Sequence, residues 1–526
     1  MVTKSKSRTK RKSRRSQKFR QAVLGKPGGV IQPRVQLVGP ERFGVVAIDC
    51  AKARSKWLLA DFYGNVLLPP AEVEHNRSSF ARAVLSLRQA VERHRLKDLI
   101  VCVEMTGTYH KPVQRAFRDA GFETRLVHPF ASSHYRLLEH GDVKTDDNDL
   151  AGIFRAGVNG FGLIEKPVDP VHCELQILAR HRRDLVVKKS KLQCQIRHHL
   201  ELCLPGFGDV FTGDDLWTQA TPVPLLKAIA ARGGTARVVA EAGPATVAGW
   251  LRDAGIRCHQ RSVERVVVWA ANAAASDPLA PQHTRVWQAL LEDWETKTGQ
   301  IAGLERDLAG VLATTPYILL LSHPGINVVS AAELAGEMGP IERYASANAV
   351  RGRAGLFPAR YQSDGVDRGG NLTRFRNGRL RAAWMLVADN MCKCNAWWMA
   401  KAAAWKSQGV DPRDIRCRVA NRLTRTVFQM IFGRQMFRHP SRLDRGYVLD
   451  KLLTFHREHK TPPAVIVRDL QQAAAQLPAS SHSQEAEPLR ELCIKGQRSR
   501  RSGPQELGTL LVAVLARLGV CDVESP

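Results

Sequence analysis

The segment 44–64, GVVAIDCAKARSKWLLADFYG, contains two apolar runs separated by a polar break. The first run ends at the lone acid Asp49, and the second precedes a Gly64-Asn65 turn. This pattern predicts a β-hairpin that holds a carboxylate near the middle of a sheet. An ionised carboxylate on a buried strand is costly unless something pairs with it. Two explanations for Asp49 therefore remain open. An arginine or turn amides satisfy its carboxylate, or it belongs to a group of converging carboxylates.

The composition points to a nucleic acid as the partner of this chain. The 526 residues carry a formal net charge of +28 and are 44% apolar, which allows two or three domains. Such an excess of positive charge destabilises a compact state by self-repulsion unless a polyanion neutralises it; a membrane surface is the alternative. The sequence shows no apolar run of transmembrane length and no signal-peptide core. Eleven scattered cysteines without a CxxC pair indicate reduced thiols in a cytoplasmic protein.

The chain divides into segments of different character. Its start contains no acid, and ten of the first twenty residues are Lys or Arg, which predicts a disordered arm that contacts phosphates. Strand and helix patterns then alternate, as in an α/β domain with crossover helices. The predicted segments are a disordered basic arm (1–40), an α/β catalytic domain (41–165), a coiled coil with a helical insert (166–315), a mainly α-helical second domain (316–440) and a polar, partly disordered tail with an apolar helix at 507–518 (441–526).

Two long helices are predicted at 174–203 and 284–312. Leucines recur every seven residues in the first helix, and Arg182 and Lys189 interrupt that seam. The second helix has apolar residues at coiled-coil spacing, so an antiparallel coiled coil is expected. Two helices of a globular bundle are the alternative.

Three further acids are candidates to converge on Asp49. Glu104 ends the predicted strand LIVCVE, and a crossover would place that strand beside the first. In VKTDDNDLAG, Thr145 is a plausible N-cap of a helix, and Asp146 and Asp149 share one face of it, whereas Asp147 points elsewhere. Acids also suit a helix N-terminus electrostatically, which is the plainer explanation for this cluster.

Four carboxylates in one pocket repel one another unless divalent cations neutralise them. Oxygen ligands alone suit Mg²⁺ or Mn²⁺. Two such ions, about 3.5–4 Å apart, can activate an attacking oxygen and stabilise a leaving oxygen in phosphodiester displacement. This chemistry agrees with the polyanionic partner that the charge indicates.

The motifs IDCAKxxxxW, VCVEMTGTYH and VKTDDNDLAG, in that order, resemble the DEDD transposases of bacterial insertion sequences. More narrowly, the sequence is similar to the insertion-sequence one-hundred-ten family, over roughly residues 42–440. The resemblance implies a RuvC-like, ribonuclease-H-type fold for the first domain. It also implies that Asp49, Glu104, Asp146 and Asp149 are the metal-binding tetrad.

The second domain contains a candidate nucleophile and candidate nucleic-acid contacts. PGINVVSAAELAGEMG is similar to a helix-hairpin-helix, whose glycine turn presents amides to a phosphate, or it is an ordinary helix pair. The family resemblance assigns its nucleophilic serine to Ser363, in a polar loop where Asp364 replaces the family's usual glycine. Trp384, Trp397 and Trp398 could stack on bases, although aromatic residues at helical spacing usually pack in a core. The candidate nucleic-acid-binding residues are Gly325, Arg360, Arg368, Arg374, Arg376, Arg379 and Arg381.

The resemblance implies a DNA transposase or recombinase that forms a covalent phosphoserine intermediate. It further implies a homodimer or homotetramer, a guide (bridge) RNA, and a bacterial cytoplasmic location associated with the nucleoid. Two alternatives remain open. One is a RuvC-like endonuclease that resolves branched DNA with water and no covalent step, and the other is a non-catalytic nucleic-acid-binding protein.

Overall fold

The computed structural model describes residues 28–165, 169–211, 216–363, 366–437 and 445–478. The chain forms two compact units, Met1–Pro167 and Val168–Pro526. In the described ranges, no helix is both long and apolar enough to span a membrane. The basic arm up to residue 27 and the predicted helix at 507–518 lie outside the described residues.

The first unit is built around a mixed β-sheet. Its strands in the described ranges are β1 Phe43–Cys50, β2 Arg54–Asp61, β3 Val66–Glu74, β4 Asp98–Glu104, β5 Thr124–Val127 and β6 Gly162–Ile164. The order across the sheet is β3-β2-β1-β4-β5-β6, in which β1, β4 and β5 run parallel and the other neighbours pair antiparallel. The expected hairpin and the predicted strand LIVCVE are present as β1, β2 and β4. The sequence also predicts a strand near residues 124–127, which is present as β5, whereas it does not predict β3 and β6.

Helices cover the two faces of this sheet. They are α1 Gln32–Val38, α2 Arg77–Arg93, α3 His110–Asp119, α4 Pro129–His140 and α5 Asp146–Val158. Alternate residues of a strand point to opposite faces. Accordingly, Val46 and Ile48 of β1 join a core that includes Leu87 of α2, whereas Val45 joins a core that includes Ile153 of α5. The alternation therefore places Asp49, four residues after Val45, on the α5 face.

The prediction of a disordered arm through residue 40 is wrong for residues 28–40. Ile31 and Val35 are buried against the α5 face of the sheet. The Arg34 guanidinium hydrogen-bonds the carboxylates of Asp98 at 2.6 and 2.8 Å and of Glu123 at 2.9 Å. These long-range partners order a segment that is too short to fold alone.

The second unit begins with two long helices and an insert between them. In chain order the helices are α6 Pro170–Cys203, α7 Pro222–Ala230, α8 Ala236–Asp253, α9 Gln260–Asn272 and α10 Ala280–Ala313. Helices α6 and α10 run antiparallel: Arg182 Nη2 lies 2.7 Å from Glu305 Oε1, and Lys189 Nζ lies 4.9 Å from the ring centroid of Trp294. The two cations that interrupt the leucine seam therefore pair with the opposite helix. Helices α7 to α9 form a small core with the far ends of the pair.

The remainder of the second unit is mainly helical. Its elements are α11 Val328–Met338, α12 Ala347–Ala354, β7 Pro358–Ser363, β8 Val366–Leu372, α13 Gly378–Cys394, α14 Ala396–Ser407, α15 Pro412–Phe432, α16 Arg445–Glu458 and α17 Pro463–Gln476. A single core extends from Leu175 of α6 to Leu477, after α17. The predicted domain end at residue 440 is therefore too early, because α16 and α17 bury apolar residues in this core.

Candidate active site

Asp49 and Glu104 lie next to each other at the carboxyl ends of two parallel strands. The last paired positions of β1 and β4 are Ile48 and Val103, and each acid follows one residue later. Glu104 follows Ile100 and Cys102 on the α5 face, the face on which Asp49 also lies. The carboxyl ends of parallel strands are where open α/β sheets bind ligands.

Asp146 and Asp149, in the first turn of α5, interact electrostatically with Asp49. The Thr145 side chain caps the helix by accepting a hydrogen bond from the Asn148 amide at 3.2 Å, as predicted. Burial, and then the charges of Glu104, Asp149 and Asp146, raise the pKa of Asp49 to about 6, while Lys144 opposes this shift. The structure thus places three acids, from two further motifs, within electrostatic range of Asp49.

Small residues allow α5 to approach its neighbours closely. A side chain on Gly152 would collide with the carbonyl oxygen of Ser132 in α4. A side chain on Gly157 would collide with the Cys102 sulfur in β4. These close approaches fix the middle of α5 against α4 and its last turn against β4.

Polar groups of the protein already hold two of the acids. Glu104 accepts hydrogen bonds from Ser132 Oγ and, at 2.7 Å, from Thr106 Oγ1. Asp149 Oδ1 lies 2.9 Å from Arg136 Nε. Burial raises the pKa of Asp149, and the charges of Lys144 and Arg136 act against that rise.

Asp147 has a different partner. Its Oδ1 lies 2.8 Å from the Nζ of Lys56, the β2 residue that pairs with Asp49 across the sheet. Asp147 is not among the acids that act most strongly on Asp49. This ion pair connects the start of α5 to β2.

The groups that surround the acids carry little signal in the sequence. Ser132 and Arg136 lie on α4, the helix that was not predicted, and Lys56 was assigned to a polar break. One signal was available for Thr106: it follows Glu104 by two residues in the MTGTY turn, within reach of a local side-chain hydrogen bond.

The acid cluster has the donor chemistry of a site for hard divalent cations. Carboxylate oxygens are hard donors, and burial, followed by repulsion from the other three acids, raises the pKa of Asp49. Among the described residues, no three His, Cys, Asp or Glu side chains stand close enough together to hold a metal ion. Glu104 and Asp149 instead point at Ser132, Thr106 and Arg136.

Ser363 is the last residue of β7 and is exposed at the end of a two-stranded hairpin. It pairs with Val366 of β8. The segment predicted as a polar loop is therefore a β-ribbon, because Tyr361 and its neighbours pair with the following strand. A serine at this position is accessible to a large substrate.

Arg381 does not have the predicted role of a free phosphate ligand. Its Nε donates to Ala354 O at 3.0 Å, and its Nη2 donates to Gly355 O at 2.7 Å and to Thr373 O at 2.6 Å. Ala354 and Gly355 precede β7, and Thr373 follows β8, so all three carbonyls lie at the base of the hairpin. Arg381 therefore clamps the base of the hairpin that carries Ser363.

The other predicted arginines differ in accessibility. Arg374 and Arg376 are exposed after β8, and Arg376 donates to Arg374 O at 3.0 Å. Arg379 is exposed, and its Nη1 lies 3.5 Å from Asp184 Oδ1. The side chains of Arg360 and Arg368 lie outside the described part of the chain.

Gly325 is buried, so the predicted phosphate-binding turn is not presented to solvent. Its carbonyl accepts from Asn390 Nδ2 at 3.1 Å, and a side chain here would meet the Met391 sulfur at 2.9 Å. A short 3₁₀ helix, Pro316–Ser322, precedes the turn. Because α11 is buried along nearly its whole length, the motif functions here as part of the core.

The three tryptophans divide between core and surface. Trp384 and Trp398 are buried, which agrees with the preferred prediction. Trp397 is 53% exposed, and the Lys401 Nζ lies 4.7 Å from its ring centroid.

Comparison with known protein families agrees with the motifs. A family model described as Transposase, of the DEDD type named for insertion sequence IS110, matches residues 46–205. A second model, described as Transposase IS116/IS110/IS902 family, matches residues 317–403. The first match contains the four acids and the second contains Ser363. No curated protein matches the sequence.

Both matches are to transposases, which are DNA-processing enzymes. Together they support the assignment of this chain to the IS110 family of transposases.

Proposed function

We propose that this protein cuts and rejoins DNA strands with a divalent-metal site at Asp49, Glu104, Asp146 and Asp149 and with Ser363 as nucleophile. The observation that supports the proposal is that Glu104, Asp146 and Asp149 all act electrostatically on Asp49 at the end of β1. A group of like charges costs stability even where some members are paired, and such groups are typical of functional sites.

The acids would hold Mg²⁺ or Mn²⁺. Such ions, when bound, lower the energy of the charge that develops on the attacking and leaving oxygens of a phosphodiester. Arg136 and Lys144 compete for Asp149, and Ser132 orients Glu104. These groups hold the carboxylates near the site while no cation neutralises them.

The serine step forms one bond and breaks one. Ser363 Oγ gives its proton to solvent and attacks a backbone phosphorus, and a phosphoserine bond joins protein and strand. The bond from phosphorus to a deoxyribose oxygen breaks, and that oxygen takes a proton from solvent and leaves as a hydroxyl. A second strand's hydroxyl then attacks the same phosphorus and releases the serine. The exposed guanidinium groups of Arg374 and Arg376 follow β8, at the opposite end of the hairpin from Ser363, and would contact backbone phosphates other than the one attacked.

The family resemblance supports the remaining features of the proposal. These are a RuvC-like fold for the mixed sheet, a coiled coil for α6 and α10, assembly as a dimer or tetramer, and association with the nucleoid. A guide RNA would choose the target, because the candidate contacts are backbone binders, which position DNA without specifying sequence.

Trapping of a protein–DNA adduct tests the nucleophile. Wild-type protein incubated with labelled DNA in Mg²⁺ should give a slow-migrating band on denaturing electrophoresis. Ser363→Ala should abolish this band, and Ser407→Ala, which changes another exposed serine of the second unit, should retain it. Cleavage without an adduct in wild type would favour the hydrolytic nuclease, and an absence of metal-dependent cleavage would favour the non-catalytic alternative.

RNA guidance has a separate test. Insertion sites should be mapped with protein purified with and without the non-coding RNA of its element. Changes in the RNA loops should redirect insertion to matching DNA. Unchanged site selection by RNase-treated protein would place specificity in the protein.

A further inference from the structure

Helix α15 carries a row of arginines on one exposed face. Arg418, Arg422 and Arg425 follow at intervals of four and three residues, which place side chains on the same side of a helix. The rise of the helix separates the first from the last by about 10 Å. The opposite face is buried, so the row is fixed to the domain core.

A buried tryptophan positions two members of this row. The Arg422 guanidinium lies 4.7 Å, and the Arg418 guanidinium 5.7 Å, from the ring centroid of Trp405 in α14. Cation–π contacts of this kind hold a guanidinium without consuming its hydrogen-bond donors. The row is therefore preorganised and keeps donors available for a ligand.

Negative charge is scarce in the sequence around this row, and the exposed Asp414 lies one helical turn before Arg418 at the start of α15. Residues 390–410 and 415–443 contain no Asp or Glu. Within the described residues, no carboxylate forms an ion pair with Arg418, Arg422 or Arg425. Lys401, one helical turn before Trp405 on α14, adds a further cation beside the exposed ring of Trp397.

We infer that this α15 row, with Trp405 as its support, is a docking surface for the phosphate backbone of duplex DNA. Phosphates repeat about every 3.4 Å of axis along one strand, so three arginines spread over about 10 Å can each meet a separate phosphate. Arginine's planar fork suits phosphate oxygens, and the regular row suits a backbone more than a single small anion. The row lies beyond residue 403, outside both family matches. The inference deepens the proposed function, on which it rests for the identity of the nucleic acid.

The salt dependence of binding tests this surface. Affinity for a labelled 30-base-pair duplex of arbitrary sequence should be measured by fluorescence anisotropy from 0.05 to 0.3 M salt. The triple variant Arg418→Gln, Arg422→Gln, Arg425→Gln should flatten the logarithmic salt slope by about 2.7 and weaken binding at 0.1 M salt roughly a hundredfold. The single variant Arg425→Gln, which leaves the Trp405 contacts intact, should flatten the slope by about 0.9.

A matched control removes the same charge elsewhere in the second unit. Arg252, Arg257 and Arg261 are exposed in the helical insert, and their triple replacement by Gln should change the slope by less than about 1. Equal losses of duplex affinity in both triple variants would mean that the α15 row contributes only through the net charge of the protein. That result would overturn the inference. A variant that keeps duplex affinity but loses affinity for a 30-nucleotide single-stranded RNA would assign the row to RNA and also overturn it.

Failure of the inference can be told apart from failure of the proposed function. The anisotropy measurement needs no catalysis, so it can be made with Ser363→Ala. If wild type forms no adduct while the α15 variants lose duplex binding, the chemistry fails and the docking surface stands. If the adduct forms and the α15 variants bind duplex normally, the docking surface fails and the chemistry stands.

Discussion

Two groups of acids, one in each unit, differ in whether cationic side chains neutralise their carboxylates. In the first unit, Asp49 lies among three other acids, and no cationic side chain pairs with it among the described residues. In the second unit, Glu337 is buried on α11 but accepts from Arg180 Nε at 2.7 Å and from Asn377 Nδ2 at 3.1 Å. Glu305 is likewise paired, with Arg182 and His459.

The pKa directions express this difference. Burial and neighbouring acids raise the pKa of Asp49 to about 6. Burial also opposes ionisation of Glu337, but the Arg180 guanidinium and the Asn377 amide outweigh it and lower the pKa. A carboxylate with opposite-charge partners helps to hold helices together, whereas a cluster of like charges needs a cation from outside. The comparison therefore separates a structural group of acids from a candidate site.

The largest effect should follow from removal of one clustered acid. Asp49→Asn should slow strand cleavage in Mg²⁺ by about a thousandfold, because it removes a group that would hold charge-stabilising cations. Single-turnover cleavage of labelled DNA measures this. Asp147→Asn, which breaks only the ion pair with Lys56, should cost less than about tenfold. If Asp147→Asn is the inactive variant and Asp149→Asn is active, the functional face of α5 has been misassigned.

Neutralising a paired acid should instead destabilise the fold. Glu337→Gln should lower the free energy of unfolding of the second unit by about 3 kcal/mol, because Arg180 loses its buried partner. Nine of the ten tryptophans lie in that unit, so urea unfolding followed by tryptophan fluorescence reports on it. Asp49→Asn should leave this transition unchanged. A Glu337→Gln protein as stable as wild type would remove the contrast between the two groups.

The stability of the first unit should fall as pH rises. The pKa of Asp49 is about 6 in the folded state against 3.8 for the free group. Its stability contribution is therefore complete below about 3.8 and lost as pH rises through about 6. The loss should be about 1–2 kcal/mol after allowance for partial exposure.

Hydrogen exchange of the β1 amides at pH 3.5 and 7.5, corrected for intrinsic rates, measures this loss. Asp49→Asn should abolish the difference, and Mg²⁺ should reduce it in wild type. Exchange that slows at the higher pH would contradict the assigned sign.

The acids and their strands could be predicted because their signals are local. Asp49 and Glu104 end apolar runs, and Thr145 begins a helix with a capping pattern. The parallel pairing of β1 and β4 follows from the crossover helix between them. The placement of Glu104, Asp146 and Asp149 within electrostatic range of Asp49 needs little more than these rules.

The supporting elements could not be predicted because their signals are weak or distant. Helix α4 buries only Ser132, so no apolar face marks it. Strand β3 is an exposed edge strand with two prolines, which resemble a break. The Arg381 clamp depends on carbonyls 8 to 27 residues away, and no local pattern indicates it. Such contacts depend on tertiary packing.

The smallest expected change in stability follows from removal of a helix cap. Helix α5 carries two of the clustered acids and α11 carries the paired Glu337, so their caps allow a further comparison of the two groups. Thr145 accepts from the Asn148 amide at 3.2 Å, and Asn327 accepts from the Ser330 amide at 2.8 Å. Replacing either cap by alanine should cost about 1 kcal/mol of stability in its own unit. Only Thr145→Ala should also raise the Mg²⁺ concentration needed for half-maximal cleavage, because the cap fixes the turn that carries Asp146 and Asp149. Titration of both variants with Mg²⁺ decides this, and an equal shift for Asn327→Ala would mean that the metal response reflects general destabilisation.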